Sequence, residues 1–125
     1  MQTVLIVDDS ATMRRMVSAS LRGISGTEFR EAANGLEAIE QLAVSAVHLI
    51  VLDMNMPDMH GLEVLQFIRR HPNFKEIPII VLTTRDDGDS RNSALAAGAT
   101  LYLTKPFTPE VLEESARSLL SRDGH

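Results

Sequence analysis

The sequence predicts an α/β domain in which five parallel strands alternate with five helices, a doubly wound (βα)5 fold whose sheet is covered on both sides. Three observations predict it. The runs over residues 3–7, 47–52 and 78–82 are nearly unbroken apolar stretches rich in β-branched residues, as expected of strands buried on both faces of a parallel sheet. Segments with apolar residues at helical spacing separate the strands. The chain of 125 residues suits one domain with a single sizeable core. Residues 1–125 are therefore read as one unit, with no further domain attached.

The elements follow in order. Residues 3–7 form the first strand and run into Asp8-Asp9. Ser10 is placed to cap the next helix, with Met13, Met16, Val17 and Leu21 on its inner face. Gly23 and Gly26 bracket the turn out of it. Residues 28–32 alternate in polarity and predict a strand near a sheet edge. Asn34-Gly35 is a turn, after which Leu36, Ile39 and Leu42 mark one face of a second helix. The central strand, 47–52, ends in Asp53. Beyond a loop holding Pro57, Gly61 leads into a helix carrying Leu62, Leu65 and Ile68, which His71-Pro72 stops.

The fourth strand ends in Thr83-Thr84. Residues 85–97 predict an alanine-rich, weakly amphipathic helix closed by Gly98. Because packing of an apolar face supplies most helix stability, this should be the most mobile of the five. A short strand over 101–103 ends in Thr104-Lys105-Pro106. Thr108-Pro109-Glu110 opens the last helix, with threonine as cap and proline in the first position. Val111, Leu112, Leu119 and Leu120 supply its buried face.

Composition narrows the function. The chain is 44% hydrophobic and 23% charged, which is ordinary for a globular protein. A net charge of −5 argues against sequence-independent binding to nucleic acid or to an anionic membrane. The absence of cysteine rules out disulfides, zinc–thiolate sites and cysteine nucleophiles, and suits a reducing cytoplasm. Neither a signal peptide nor an apolar run of membrane-spanning length is apparent.

The chemistry gathers at the strand ends. In the doubly wound order 2-1-3-4-5, ligands bind beyond the carboxyl ends of strands one and three. That order brings Asp8, Asp9 and Asp53 together, with Thr83 and Lys105 arriving from strands four and five. Asp53 has no packing reason to follow an apolar run, since an ionised group taken from water must be compensated. Three carboxylates in one crevice repel unless a cation joins them. Oxygen donors without histidine or thiol partners suit Mg²⁺. With Mg²⁺ and Lys105 the charges sum to zero, so a phosphoryl group could be accepted on Asp53 and held by Lys105 and the Thr83 hydroxyl.

Each residue alone has a plainer reading. Asp53 could end a strand, Asp8-Asp9-Ser10 could cap a helix, Lys105 could be a solvated charge, and Tyr102 could simply pack. Met54, Met56 and Met59 imitate a soft-metal box but suit loop packing. His48, His60, His71 and His125 lack ligand spacing and are read as structural or surface residues.

Taken together, Val7-Asp8-Asp9-Ser10, Asp53 with Met56-Pro57 and Gly61, Thr83, and Lys105-Pro106-Phe107 resemble a receiver domain of bacterial two-component response regulators, of the CheY-like single-domain chemotaxis type. The resemblance covers essentially the whole chain. It implies that Asp53 is the phosphoacceptor, receiving its phosphoryl group from a phosphohistidine on a sensor histidine kinase. It implies that Asp9 and Asp53 ligate Mg²⁺, that Asn55 adds a backbone carbonyl, and that Asp8 acts through a water. Thr83 and Lys105 would bind the phosphoryl oxygens, and Tyr102 would be an aromatic switch that turns inward when Thr83 moves. The Lys105-Pro106 bond resembles one usually cis in this family, aiming the lysine into the crevice.

The implied product is a cytoplasmic, monomeric signalling switch rather than a conventional enzyme. Its target would be a flagellar motor component or other effector, bound on the face made by the fourth helix, Leu101 to Leu103 and the last helix. A phosphatase would be a further partner. Thr84 and Arg85, together with Asn55, stand where they should alter dephosphorylation. Rival readings are a receiver cut from a larger regulator or serving a phosphorelay, a hydrolase with an aspartyl-phosphate intermediate, and an interaction module independent of phosphorylation. The hydrolase would need a substrate-binding cap, and no insertion is long enough to make one.

Overall fold

A computed structural model describes residues 1–54, 61–84 and 88–123, the last three as backbone of the final helix. Met56, Pro57, Met59, His60 and His125 lie outside the described residues. Ten elements alternate along the described chain: β1 (Gln2–Val7), α1 (Ala11–Leu21), β2 (Thr27–Ala32), α2 (Gly35–Val44), β3 (Leu49–Asp53), α3 (Gly61–Arg70), β4 (Ile79–Thr83), α4 (Gly88–Ala97), β5 (Leu101–Thr104) and α5 (Pro109–Asp123). The strands pair in parallel in the order β2-β1-β3-β4-β5. The expected fold class and sheet order are both observed.

Alternation along each central strand divides the core into two layers. Leu5, Val7, Ile50, Leu52, Ile79 and Val81 point to one side, where Ala38 and Leu42 of α2, Val64, Leu65 and Ile68 of α3 and Ala94 of α4 cover them. Val4, Ile6, Leu49, Val51, Ile80 and Leu82 point to the other, beneath Val17 and Leu21 of α1 and Leu112, Ala116, Leu119 and Leu120 of α5. Each fully buried leucine or isoleucine contributes roughly 1.5–3 kcal/mol of apolar burial. β2 lies at one edge with a mostly polar, exposed pattern, as its sequence predicts.

Three expected core residues are instead exposed: Met16, Leu36 and Val111. Each sits one position before or after the buried stripe of its helix, about a quarter turn round. In α2 the inward residues are Gly35, Ala38 and Leu42, so Leu36 faces solvent. In α5 the stripe runs through Leu112, Ala116, Leu119 and Leu120, leaving Val111 outside.

The helix ends follow the predicted chemistry. The backbone N–H of Met13 donates to Ser10 Oγ (3.2 Å), and that of Val111 to Thr108 Oγ1 (3.3 Å). Asn34, expected only as part of a turn, is the N-cap of α2: Glu37 N–H donates to its Oδ1 (2.9 Å) while Glu37 Oε1 accepts from Ala33 N–H (2.7 Å). Gly98 ends α4 with φ +116, its N–H donating to Leu95 C=O and Ala99 N–H to Ala94 C=O.

Candidate functional site

Five side chains converge where the central strands end. β1 delivers Asp8 immediately after its last residue, β3 ends on Asp53 and β4 on Thr83. Asp8, Asp53 and Thr83 are each only 2% exposed, whereas Asp9 is exposed. Parallel pairing of β1 with β3 sets Val7 beside Leu52, so the carboxylates that follow each residue share one crevice. Carboxylate oxygens of Asp8, Asp9 and Asp53 lie within 4.8 Å of one another.

Lys105 reaches this cluster from beyond β5. Its backbone N–H donates to Thr83 C=O (2.7 Å), seating it beside the end of β4. The Lys105–Pro106 peptide bond is cis, as the resemblance implies. Lys105 Nζ donates to Asp53 Oδ1 (3.1 Å) and pairs with Asp8 Oδ2 (3.4 Å). One ammonium is thus shared between two buried carboxylates.

Burial pushes the Asp8 carboxyl above its ordinary value of 3.8. The Ser10 N–H donating to Oδ1 (2.9 Å) pulls it down, the neighbouring Asp53 charge pushes it up, and Lys105 pulls it down again. The net direction is upward, with burial the largest cause. Three carboxylates face one ammonium, so the crevice carries net negative charge when all are ionised. Hard oxygen donors at this separation fit a small divalent cation such as Mg²⁺. Among the described residues, no other group of three or more acidic, histidine or cysteine side chains is placed to hold an ion.

The backbone around the site is packed against Asp53. A Cβ at Gly61 would fall 2.6 Å from Met54 Cα and 2.8 Å from the Asp53 carbonyl oxygen, so the first residue of α3 fits only without a side chain. Arg14, which sequence reasoning missed, spans the ends of β1 and β2. Its Nη1 donates to Asp8 C=O (2.6 Å) and its Nε to Glu31 (2.7 Å). It lies one turn beyond the Asp-Asp pair, a spacing that compositional patterns do not distinguish from an ordinary solvated helix charge.

Asp8, Asp9, Asp53, Thr83 and Lys105 are therefore brought together as the sequence predicts. Asn55 and Arg85 lie outside the described residues. Tyr102 stands two residues into β5, 7% exposed, on the layer shared with α3 and α4. Thr84 follows Thr83 at the surface. Of the two histidines with described partners, His48 hydrogen-bonds β1 and His71 stacks on Phe74 with ring centroids 4.1 Å apart, both structural roles.

Comparison with known proteins agrees with this geometry. The family described as "Response regulator receiver domain" matches residues 4–117. The chain is 42% identical to chemotaxis protein CheY1 of Helicobacter pylori over 118 residues, covering 94% of this chain and 95% of the relative. The structure of Vibrio cholerae chemotaxis protein CheY4 superposes with a TM-score of 0.87 at 38% identity, covering 95% of this chain and 98% of the other. That of the Mn²⁺-bound form of response regulator Rcp1 superposes with a TM-score of 0.81 at 29% identity, covering 97% and 93%. With the family matched along nearly its whole length and the acidic crevice in place, this chain belongs to the response regulator receiver domains.

Proposed function

We propose that the protein is a phosphorylation-activated signalling switch of a two-component system, acting in chemotaxis. The single observation that carries this reading is Lys105 Nζ held between the buried carboxylates of Asp53 and Asp8. The chemotaxis assignment rests on the similarity to CheY1 and CheY4 along nearly their full lengths. Residues 1–125 are read as one response regulatory domain.

In this reading an Asp53 carboxylate oxygen attacks the phosphorus of a phosphohistidine on a sensor kinase. The P–N bond breaks, and the ring nitrogen keeps the bonding pair and takes up a proton. The strand end holds Asp53 in line while Lys105, already 3.1 Å away, transfers its pairing from the carboxylate to a phosphoryl oxygen. Thr83 contributes its hydroxyl to a second phosphoryl oxygen. Asp8, Asp9 and Asp53 would hold Mg²⁺, with Asn55 completing the set. The bound ion would neutralise charge on the phosphoryl oxygens.

The output would be altered binding of a target protein on the face of α4, β5 and α5, with Tyr102 turning inward as Thr83 moves toward the phosphoryl group. Exposed Asn92, Ser93 and Ser118 make that face inexpensive to desolvate. The protein would undergo slow self-dephosphorylation, aided by a phosphatase, without turning over a substrate as an enzyme does. It would work as a cytoplasmic monomer. None of the described helices is long and apolar enough to cross a membrane.

Acetyl phosphate tests the reading. Intact-mass spectrometry should find one phosphoryl group added in the presence of Mg²⁺ and none with chelator or in Asp53→Asn. Incorporation that survives Asp53→Asn would overturn it.

A further inference from the structure

One contact between α4 and β5 lies outside the phosphoryl-transfer constellation. The Arg91 guanidinium carbon sits over the Tyr102 ring, 5.1 Å from its centroid. That is within the distance at which a cation is attracted to an aromatic face. Tyr102 is buried while Arg91 is exposed, so the guanidinium covers the ring from the solvent side. Arg91 stands three residues before Ala94, on the same face of the helix. Ala94 is the only buried residue of α4, so the helix itself holds the sheet through little apolar surface. Arg69 fixes the other end of α4, its Nε donating to Gly98 C=O (2.8 Å) and its Nη1 to Ile77 C=O (2.6 Å). A firm clamp thus sits at the carboxyl end of α4 and a lighter contact in its middle.

We propose that Arg91 is a positioning residue for Tyr102. Its guanidinium stabilises the ring in the inward orientation and so sets how much of the switch is inward before any phosphoryl group arrives. The inference rests on the receiver reading of Tyr102 as the switch. It adds a specific consequence: if the inward state is the one that binds the phosphoryl group best, whatever raises its population tightens apparent binding by the same factor. An exposed cation–π contact corresponds to a two- to fivefold bias, roughly. Part of this protein's response threshold is then set by a surface charge on α4.

Tyr102 is the only tyrosine and the chain has no tryptophan, so intrinsic fluorescence reports this ring alone. Acrylamide quenching and ring NMR shifts would be measured for wild type, Arg91→Met and Arg91→Lys, with and without Mg²⁺ and beryllofluoride as phosphoryl mimic. Arg91→Met keeps the stem and removes the charge. It should raise the outward-to-inward ratio about two- to fivefold and weaken beryllofluoride binding by the factor by which the inward population falls. Arg91→Lys should recover part of both. Quenching unchanged in Arg91→Met, or Arg91→Lys indistinguishable from Arg91→Met, would overturn the proposal. If wild type fails to bind beryllofluoride, the receiver reading falls, while ring populations without the mimic still decide the Arg91 contact.

Discussion

The two ends of the same parallel strands handle polar groups in opposite ways. At the amino end, Thr3 N–H donates to His48 Nδ1 (3.0 Å), His48 N–H returns a bond to Thr3 C=O (2.8 Å), and Thr3 Oγ1 donates to Glu28 (3.0 Å). Gln2 ties the strand to α5 through Leu120 C=O (3.0 Å). These groups satisfy one another or reach water. At the carboxyl end, Asp8, Asp9 and Asp53 crowd together, Lys105 pairs with Asp8 and Asp53, and burial above all leaves the Asp8 carboxyl harder to ionise. Evolution of stability alone would have paired or removed those charges. The difference separates architecture from chemistry: the amino end holds the sheet together, and the carboxyl end gathers carboxylates whose arrangement fits a divalent cation.

Substitutions at the two ends should therefore have opposite signs. Asp8→Asn keeps an oxygen to accept from Ser10 N–H and leaves Lys105 paired with Asp53. It should stabilise the metal-free protein by about 1 kcal/mol and weaken Mg²⁺ binding roughly ten- to a hundredfold. The pH dependence follows from the raised pKa. The folded state holds the Asp8 proton more tightly than the unfolded chain, so this group's contribution to stability is full below 3.8 and is lost as pH rises through the raised folded value. The advantage of Asp8→Asn should accordingly be small near pH 3.8 and complete above that window. Urea melts across the range, with and without Mg²⁺, check it; a destabilised metal-free variant at neutral pH would break the comparison.

The amino end predicts the reverse. His48→Leu removes the acceptor for Thr3 N–H within the first residues of β1. It should cost about 1–2 kcal/mol and speed exchange of the Thr3 amide, with Mg²⁺ affinity unchanged. Calorimetry and hydrogen exchange on the same samples would separate the two effects. A change in Mg²⁺ affinity comparable to that of Asp8→Asn would mean the ends are coupled through β1 and β3.

Much of this was legible before the fold was known. The buried strands announced themselves as apolar runs, and Asp53 stood out because a carboxylate is anomalous after such a run. Asp8, Asp9, Thr83 and Lys105 were legible because sheet order converts strand ends into neighbours. The arginines were not. Arg14, Arg69 and Arg91 look alike in sequence, yet one bridges two strand ends, one is half-buried among carbonyl oxygens with its pKa pushed below its ordinary value by that burial, and one covers Tyr102. Long side chains find partners set by tertiary geometry, to which periodicity is blind. The same holds for Leu36 and Val111, where the margin of a helical stripe depends on the neighbour it meets.

The smallest effect offers the sharpest discrimination, because it lies wholly within the amino end. Thr3→Val deletes the hydroxyl that donates to Glu28 but preserves shape, and should cost less than about 1 kcal/mol. Thr27, paired in register with Gln2 on the adjacent strand, carries the only buried side-chain oxygen without a partner among the described residues. Thr27→Val removes that burden and should be neutral or stabilising by up to about 1 kcal/mol. The two substitutions are chemically identical and lie on neighbouring strands, so propensity and volume cancel between them. Denaturation midpoints that move in opposite directions would show that hydrogen-bond satisfaction governs this end. Equal shifts would show that β-propensity does, and would remove the contrast with the acidic crevice.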